Sequence, residues 1–125
     1  MKKELNSKKA PGAIGPYSQA VKAGNYIYVS GQLPINGATG EMPEDIKEQT
    51  KQSLENIKAI LEEADATLDN VVKSTVYLAD MSLFGPMNEV YAEHFKAVYP
   101  ARAAFAVKEL PKKALVEIEV VAYKE

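Results

Sequence analysis

The fold is decided by residues 44–78, EDIKEQTKQSLENIKAILEEADATLDNVVKSTVYL, in which the hydrophobic pattern changes from a helical period to a strand period. Within 44–64, Leu54, Ile57 and Leu61 recur at three- and four-residue steps while charged residues take the opposite face, which predicts an amphipathic helix. Residues 71–78 are rich in β-branched side chains and alternate, which predicts a strand. Helix and strand therefore share one core, as in an α+β protein.

The flanking segments extend this to the order β-β-α-β-α-β-β, one mixed sheet with two helices. Gly24-Asn25 tolerates the positive φ of a tight hairpin and separates the first two strands. A second helix is expected over 84–98, with Ser82 as its N-cap and Pro100 beyond its end. The strands expected in these flanks cover 18–22, 26–33, 103–107 and 115–123.

The chain is long enough for one hydrophobic core and short for two, since it has 125 residues and 46% apolar composition. We therefore expect a single domain over residues 1–125. Its first nine residues are polar and rich in lysine, so we expect segment 1–9 to be loosely held.

Charge and composition argue against several functional classes. The net charge of −2 argues against a general nucleic-acid binder, which needs clustered positive charge. The chain has no Cys, which excludes disulfides, thiolate catalysis and cysteine-based metal clusters. No apolar run approaches the ~20 residues that span a bilayer. Residues 1–6 lack the apolar stretch of a secretory signal, so we expect a cytoplasmic protein with no membrane partner.

Two predicted strands are apolar on both faces, namely residues 26–29 and residues 71–78. A sheet with one solvated face should alternate cleanly between apolar and polar residues. Two helices can cover only one face of such a sheet, so the other face needs a second cover. Another copy of the same chain is the economical choice, and we expect an oligomer.

The familiar catalytic motifs are missing. His94 is the only histidine, so a zinc site would need three carboxylates around it, and a lone helical histidine usually serves packing or lies on the surface. The chain has no Gly-x-Ser-x-Gly elbow, no phosphate-cradling loop and no dinucleotide fingerprint. The remaining chemistry uses water, carboxylates, a guanidinium and backbone amides.

Three charged residues could carry such chemistry, each with an ordinary alternative. Arg102 begins an apolar strand among small neighbours and is either a rim residue in a weak ion pair or an anchor for a carboxylate. Glu117 and Glu119 share one strand face, which is either solvated or holds a proton-transferring carboxylate at an interface. Packing, a strand bulge or ligand contact could each explain Tyr17, Ser30, Gly31, Asn88 and Tyr91. The residues alone lead to an anion site in an oligomeric α+β protein.

Several motifs at matching separations resemble the RidA family, also called the YjgF or reactive-intermediate-deaminase family. The matching stretches are APGAIGPYSQA at 10–20, SGQLP at 30–34, NEVY at 88–91, PAR at 100–102, LPK at 110–112 and VEIE at 116–119. They cover the chain from about 10 to 122 in order, without obvious insertions.

This resemblance implies a chorismate-mutase-like fold with both helices on one sheet face, assembled as a homotrimer with three clefts between protomers. It also implies a 2-iminobutanoate/2-iminopropanoate deaminase, which hydrolyses reactive enamines and imines to 2-oxo acids and ammonia. Neither a cofactor nor a metal is expected. The expected partners are small imino and 2-oxo acids and further copies of the chain.

The resemblance also implies roles for individual residues. Arg102 would hold the substrate carboxylate, assisted by the Gly31 backbone N–H and the Ser30 side chain, while Glu117 would orient the attacking water and shuttle protons. The residues that would line the same cleft are Tyr17, Asn88, Tyr91 and Ala104, the last through its backbone.

One departure from the family concerns Ala103-Ala104, where many relatives carry Ser-Cys. Thiol-dependent roles are therefore excluded, whereas backbone contacts at Ala104 survive. Two other functions travel with the family. One is a non-catalytic trimeric module that binds small carboxylates in a regulatory or chaperone-like role. The other is a ribonuclease or translation inhibitor, against which the acidic balance weighs; its only support is Lys2, Lys3, Lys8 and Lys9.

Overall fold

The computed structural model describes all residues, Met1–Glu125, and has one six-stranded mixed sheet with two helices. The strands are β1 Lys2–Leu5, β2 Ala20–Ala23, β3 Tyr26–Gln32, β4 Val71–Leu78, β5 Ala101–Ala106 and β6 Val116–Tyr123. The helices are α1 Ile46–Glu62 and α2 Phe84–His94. The strand order is β1-β2-β3-β6-β4-β5, antiparallel except for the β4–β5 pair, which is parallel and connected through α2. The α+β class is confirmed.

The hydrophobic core lies between the helices and one face of the sheet. Helix α1 buries Leu54, Ile57 and Leu61, as the period predicts, and begins where the Asp45 carboxylate accepts the backbone N–H of Glu48. The sheet residues in this core are Ile27, Val29, Val71, Val76, Leu78, Val116, Ile118, Val120 and Ala122. The predicted helix over 44–64 and strand over 71–78 are therefore confirmed, with α1 two residues shorter at each end.

The expectation that segment 1–9 is loosely held is wrong. Strand β1 pairs antiparallel with β2, and Leu5 is buried in the core. The buried Gln19 side chain accepts the Ser7 N–H (2.7 Å) and donates to the Pro11 carbonyl (2.7 Å), which ties the following segment down. The charged residues that suggested a tail, Lys2, Lys3 and Glu4, are the exposed positions of an edge strand.

The second helix begins at Phe84 as predicted, but its cap and its C-terminal end differ from the prediction. Ser82 is not its N-cap: the Asp80 carboxylate accepts the Ser82 N–H (2.8 Å) and caps a 3₁₀ turn over Met81–Leu83, which leads directly into α2. The helix ends at His94 rather than near residue 98, because the chain becomes extended at Phe95, whose side chain is buried in the core. Pro100 therefore follows a loop and does not itself end the helix.

Strand β5 begins two residues earlier than predicted, since its parallel pairing with β4 starts at Lys73 and Ala101. This brings Arg102 inside the strand. The β2–β3 hairpin turns at Gly24-Asn25 as predicted, with a φ of 60° at Gly24, the sign that type II′ turns require at this position. Relative to the ranges 18–22, 26–33 and 115–123, the strand ends at 26 and 123 are confirmed and the others shift by one or two residues.

The second face of the sheet carries no helix and exposes aromatic side chains. Tyr28 retains 50% of its surface, and Tyr26 and Phe105 each retain 45%. Single exposed apolar residues are ordinary, but several on one sheet face indicate a surface made for contact. We call this surface the open face. Neither helix combines the length and the apolar character that crossing a bilayer requires.

Candidate active site

Arg102 lies on the helix-covered side of the sheet, at the outer strand β5. Its register partner on β4 is Ser74, which is buried and shares a 2.6 Å hydrogen bond with the Tyr91 hydroxyl of α2. The Arg102 Nη1 group donates to Asn88 Oδ1 at 2.7 Å. Its guanidinium carbon lies 4.7 Å from the Tyr91 ring centroid and 5.4 Å from that of Phe84. Helix α2 therefore holds the guanidinium with neutral groups.

This guanidinium has no carboxylate partner. Arg102 is exposed and takes part in none of the ion pairs of the chain, so the rim ion pair considered from sequence is not formed. Burial raises the pKa of Tyr91, the aromatic neighbour, which keeps it neutral beside the cation. The remaining guanidinium donors are free to meet an anion, and the planar fork matches two carboxylate oxygens.

Glu117 lies on the open face, where its carboxylate packs against the backbone of Gly31. The β3–β6 register shifts between Val29 and Gln32, and a Cβ added at Gly31 would overlap the Glu117 carboxylate. Only glycine leaves room for this approach. Burial raises the pKa of Glu117, and the negative charge of Glu119 raises it further. Glu117 thus holds a proton more strongly than an ordinary glutamate.

Glu119 is bound by a residue that sequence reasoning missed. The Tyr77 hydroxyl of β4 donates a short hydrogen bond to Glu119, and the edge of its ring meets Phe105 with centroids 5.6 Å apart. This hydrogen bond is the main cause that raises the pKa of Tyr77 to about 12. No local pattern signals the contact, because Tyr77 and Glu119 are 42 residues apart in the chain.

A cavity of about 420 Å³ reaches Gly31, which lies against the Glu117 carboxylate, and is lined in part by Tyr17 and Lys112; neither Glu117 nor Glu119 lines it. Tyr17 is 54% exposed and follows Gly15, whose φ is 110°. The Ser30 hydroxyl donates to the Ser18 carbonyl at 2.6 Å. Lys112 was also missed by sequence reasoning, and its backbone takes a φ of 57°, which is uncommon outside glycine.

The predicted site residues fall into two groups on opposite faces of the sheet. The register partner of Arg102 faces the helices, whereas Tyr77, the register partner of Glu117, faces the open side. The group on the helix side is Arg102, Asn88, Tyr91 and Ala104. The group on the other side is Glu117 and Gly31, with Ser30 next to Gly31 in the chain and Tyr17 on the cavity that reaches Gly31. A single copy does not bring Arg102 and Glu117 together.

His94 belongs to neither group. Its Nδ1 lies 2.9 Å from the Val90 carbonyl and its Nε2 lies 3.5 Å from the Glu55 carboxylate of α1. The ring therefore connects the two helices, in agreement with its interpretation as a packing residue.

The fold and these two groups define an α+β protein whose candidate site has an unpaired guanidinium on one sheet face and two carboxylates on the other. A family model described as Endoribonuclease L-PSP matches residues 7–124. The chain belongs to this family, which includes the RidA and RutC proteins, and the resemblance inferred from the motifs is confirmed.

Relatives and solved structures match over the whole chain. A RutC family protein of Pyrococcus abyssi is 58% identical over 125 residues, covering 99% of this chain and 98% of the relative. TdcF of Escherichia coli, described as a candidate reactive intermediate deaminase, is 43% identical over 125 residues, covering 98% and 97%. The crystal structure of TdcF with bound serine has a TM-score of 0.93 and covers 98% of this chain and 99% of TdcF. A Thermotoga maritima structure, described as a candidate endoribonuclease, reaches a TM-score of 0.96 at 49% identity and covers 100% and 99%.

Proposed function

We propose that the protein is a reactive intermediate deaminase. Its substrates are 2-aminoacrylate, with its tautomer 2-iminopropanoate, and 2-iminobutanoate, and its products are 2-oxo acids and ammonia. The observation that carries the proposal is a guanidinium with no carboxylate partner on one face of the sheet, matched by a proton-retaining glutamate on the other. Membership of the family and the description of TdcF support the same reaction class.

The working site forms between copies of the chain in a homotrimer. One copy keeps Arg102 and Glu117 on opposite faces, so a complete site needs the guanidinium of one copy beside the carboxylate of the next. The aromatic residues of the open face offer the apolar area for such an assembly. An imino acid and its 2-oxo product are the small-molecule partners of this site.

Substrate binding rests on Arg102, which takes the substrate carboxylate through two parallel hydrogen bonds. Asn88 and the Tyr91 ring hold the guanidinium in place, which reduces the entropy lost when the substrate binds. The Gly31 backbone N–H assists at the substrate carboxylate, and the Ser30 hydroxyl does so when it turns away from the Ser18 carbonyl. Tyr17 and the backbone at Ala104 enclose the reacting end, where the imine nitrogen lies.

The chemical step needs little from the protein because an imine carbon is already electrophilic. Glu117 accepts a proton from water while the water oxygen forms a bond to the carbon of the protonated imine, whose nitrogen becomes a neutral amine. Glu117 then returns the proton to this amine, the C–N bond breaks, and the departing ammonia takes the hydroxyl proton as the carbonyl forms. Holding water and substrate in one geometry supplies several kcal/mol of the barrier reduction.

The test couples the protein to an enzymatic source of 2-aminoacrylate and follows the release of ammonia and 2-oxo acid. Arg102→Ala should lose about 100-fold or more of the activity, because a desolvated bidentate charge pair is lost. Glu117→Gln should still bind 2-oxobutanoate but turn over slowly. Lys58→Ala, which removes an exposed cation of α1, is the matched control. An active Arg102→Ala protein with an intact oligomer would refute the anchoring role.

Mixing the two inactive variants tests where the site forms. When Arg102→Ala and Glu117→Gln chains are unfolded and reassembled together in equal amounts, about one quarter of the sites between copies should regain both groups. The mixture should therefore recover activity that neither variant has alone. If the mixture recovers no activity, both groups belong to a site within one copy, and the proposal is contradicted.

A further inference from the structure

The open face holds one more carboxylate than the proposed hydrolysis uses. Glu117 and Glu119 are two residues apart on β6, so both point to this face, and both are half-buried. Glu119 forms no ion pair, although it is not fully solvated. Placing two like charges side by side is unfavourable, which calls for a reason.

Tyr77 fixes the position of this second carboxylate. In the β4–β6 register Tyr77 lies opposite Glu117 and Thr75 lies opposite Glu119, so the Tyr77 hydroxyl reaches diagonally to Glu119. Its ring is in turn held by the edge contact with Phe105. The donated O–H and the ring contact together hold the Glu119 carboxylate in one position on this face.

We propose that Glu119 is a positioning residue for the hydrolysis: held by the Tyr77 hydroxyl, it keeps a fixed negative charge beside Glu117 and makes Glu117 a stronger proton acceptor. The inference rests on the proposed role of Glu117 in deamination. This role accounts for both glutamates of β6: Glu117 exchanges the proton, and the charge of Glu119 sets how strongly Glu117 holds it. A general base works best when its proton affinity suits the working pH.

The other groups around Glu117 do not supply this effect. On β3 the neighbours Ser30 and Gly31 carry no charge, and on β5 Phe105 is apolar. Two lysines stand on the surrounding elements, Lys73 on β4 and Lys112 in the turn before β6, and neither forms an ion pair.

Cations would change the proton affinity of Glu117 in the opposite direction to Glu119. Positive charge from the lysines, or from Arg102 of a second copy, favours ionised Glu117 and lowers its proton affinity. Burial and Glu119 are the two causes that raise the pKa of Glu117. Of these two, only the Glu119 charge can be removed without changing the packing around Glu117.

The test compares Glu119→Gln and Tyr77→Phe with the unchanged protein. Glu119→Gln removes the charge and should move the acid limb of the pH profile of kcat/KM to lower pH, because Glu117 then loses its proton more readily. Tyr77→Phe keeps the ring but frees Glu119 to turn toward solvent, so the same limb should move in the same direction by a smaller amount. Glu44→Gln makes the same change in net charge on an exposed loop and should leave the limb in place.

A second readout does not depend on catalysis. The carboxyl carbon of Glu117 is followed by NMR titration in protein labelled at glutamate, with its signal assigned by its loss in Glu117→Gln. The midpoint should fall in Glu119→Gln and fall less in Tyr77→Phe. An unchanged or raised midpoint in Glu119→Gln overturns the inference, and a rise in Tyr77→Phe overturns the holding role of Tyr77. If no imine is hydrolysed but the midpoint falls, the proposed function fails while the coupling of the two glutamates stands.

Discussion

The two faces of the sheet carry the two groups of the candidate site, and the charged side chains on them have different surroundings. On the helix side, α2 surrounds Arg102 with an amide oxygen and two aromatic rings, so the cation is held without being neutralised. On the open face, Glu117 and Glu119 are crowded together, and the Tyr77 hydroxyl donates to Glu119 alone. Each face therefore carries an uncompensated charge, and the two charges have opposite signs.

In the proposed homotrimer, this difference lets each chain supply one group of the site and its neighbour supply the other. A cation already paired with a carboxylate could not hold a substrate anion, and a glutamate already beside a guanidinium would be a weaker base. Keeping the groups on opposite faces avoids both outcomes within one copy. In the proposed homotrimer, opposite charges on the two surfaces would also favour association in the productive orientation.

Among variants that leave both charged groups in place, the largest effect is expected from Gly31→Ala, which disturbs only the open-face group of the candidate site. The added methyl group would overlap the Glu117 carboxylate and displace it, and a shift of about 1 Å at a reacting group can cost ~100-fold in rate. We expect kcat to fall by about this factor while circular dichroism and oligomeric state are unchanged. Gly85→Ala is the matched control, since nothing lies near a Cβ at that position. Full activity in Gly31→Ala would show that the Glu117 carboxylate need not lie against the strand.

A smaller effect is expected from Asn88→Ala, which makes the Arg102 guanidinium on the helix side of the sheet less rigidly held. The variant removes the acceptor of the Arg102 Nη1 hydrogen bond, and such bonds to charged groups contribute about 1.5 kcal/mol or more. KM should rise about tenfold, with kcat nearly unchanged, because the guanidinium keeps its charge but loses its orientation. Glu89→Gln, at the neighbouring exposed position of α2, serves as the control. A fall in kcat at constant KM would contradict a role limited to substrate binding.

The smallest effect is expected from Glu117→Gln on the thermal stability of the protein, and it depends on pH. The pKa of Glu117 is raised in the folded protein, so the folded state keeps this proton to higher pH than the unfolded chain does. The raised pKa therefore does not lower the free energy of unfolding at pH values below the pKa of Glu117 in the unfolded chain. The free energy of unfolding falls as the pH rises through the pKa of Glu117 in the folded protein. Glu117→Gln should raise Tm near neutral pH by a few degrees and leave it unchanged in acid.

The same variant also sharpens the comparison between the two faces. If Arg102 of a second copy approaches Glu117, it offsets part of this cost, so Glu117→Gln should stabilise more in an Arg102→Ala background. Groups in contact couple by about 0.5–3 kcal/mol in such double-mutant cycles. Additive effects on Tm would indicate that the two groups do not meet.

The spacing of apolar and β-branched residues along the chain predicted much of the fold. The three- and four-residue spacing in α1 and the β-branched run of β4 predicted both elements to within two residues, because side-chain direction repeats every 3.6 residues in a helix and every two in a strand. The same repeats placed Asn88 beside Tyr91 and Glu117 beside Glu119. The edge strand β1 escaped notice because its alternation is too short and too charged to differ from a solvated tail.

The amino-acid sequence by itself thus determined the elements, the family motifs and the residue types available for chemistry. Only the tertiary structure decided that Arg102 and Glu117 occupy opposite faces, that Gly31 admits the Glu117 carboxylate, and that Tyr77 holds Glu119. The reason is physical: periodicity arises from the geometry of neighbouring residues. Strand register and sheet order arise from pairings between segments far apart in the chain, and a shift of one residue would move every side chain to the other face.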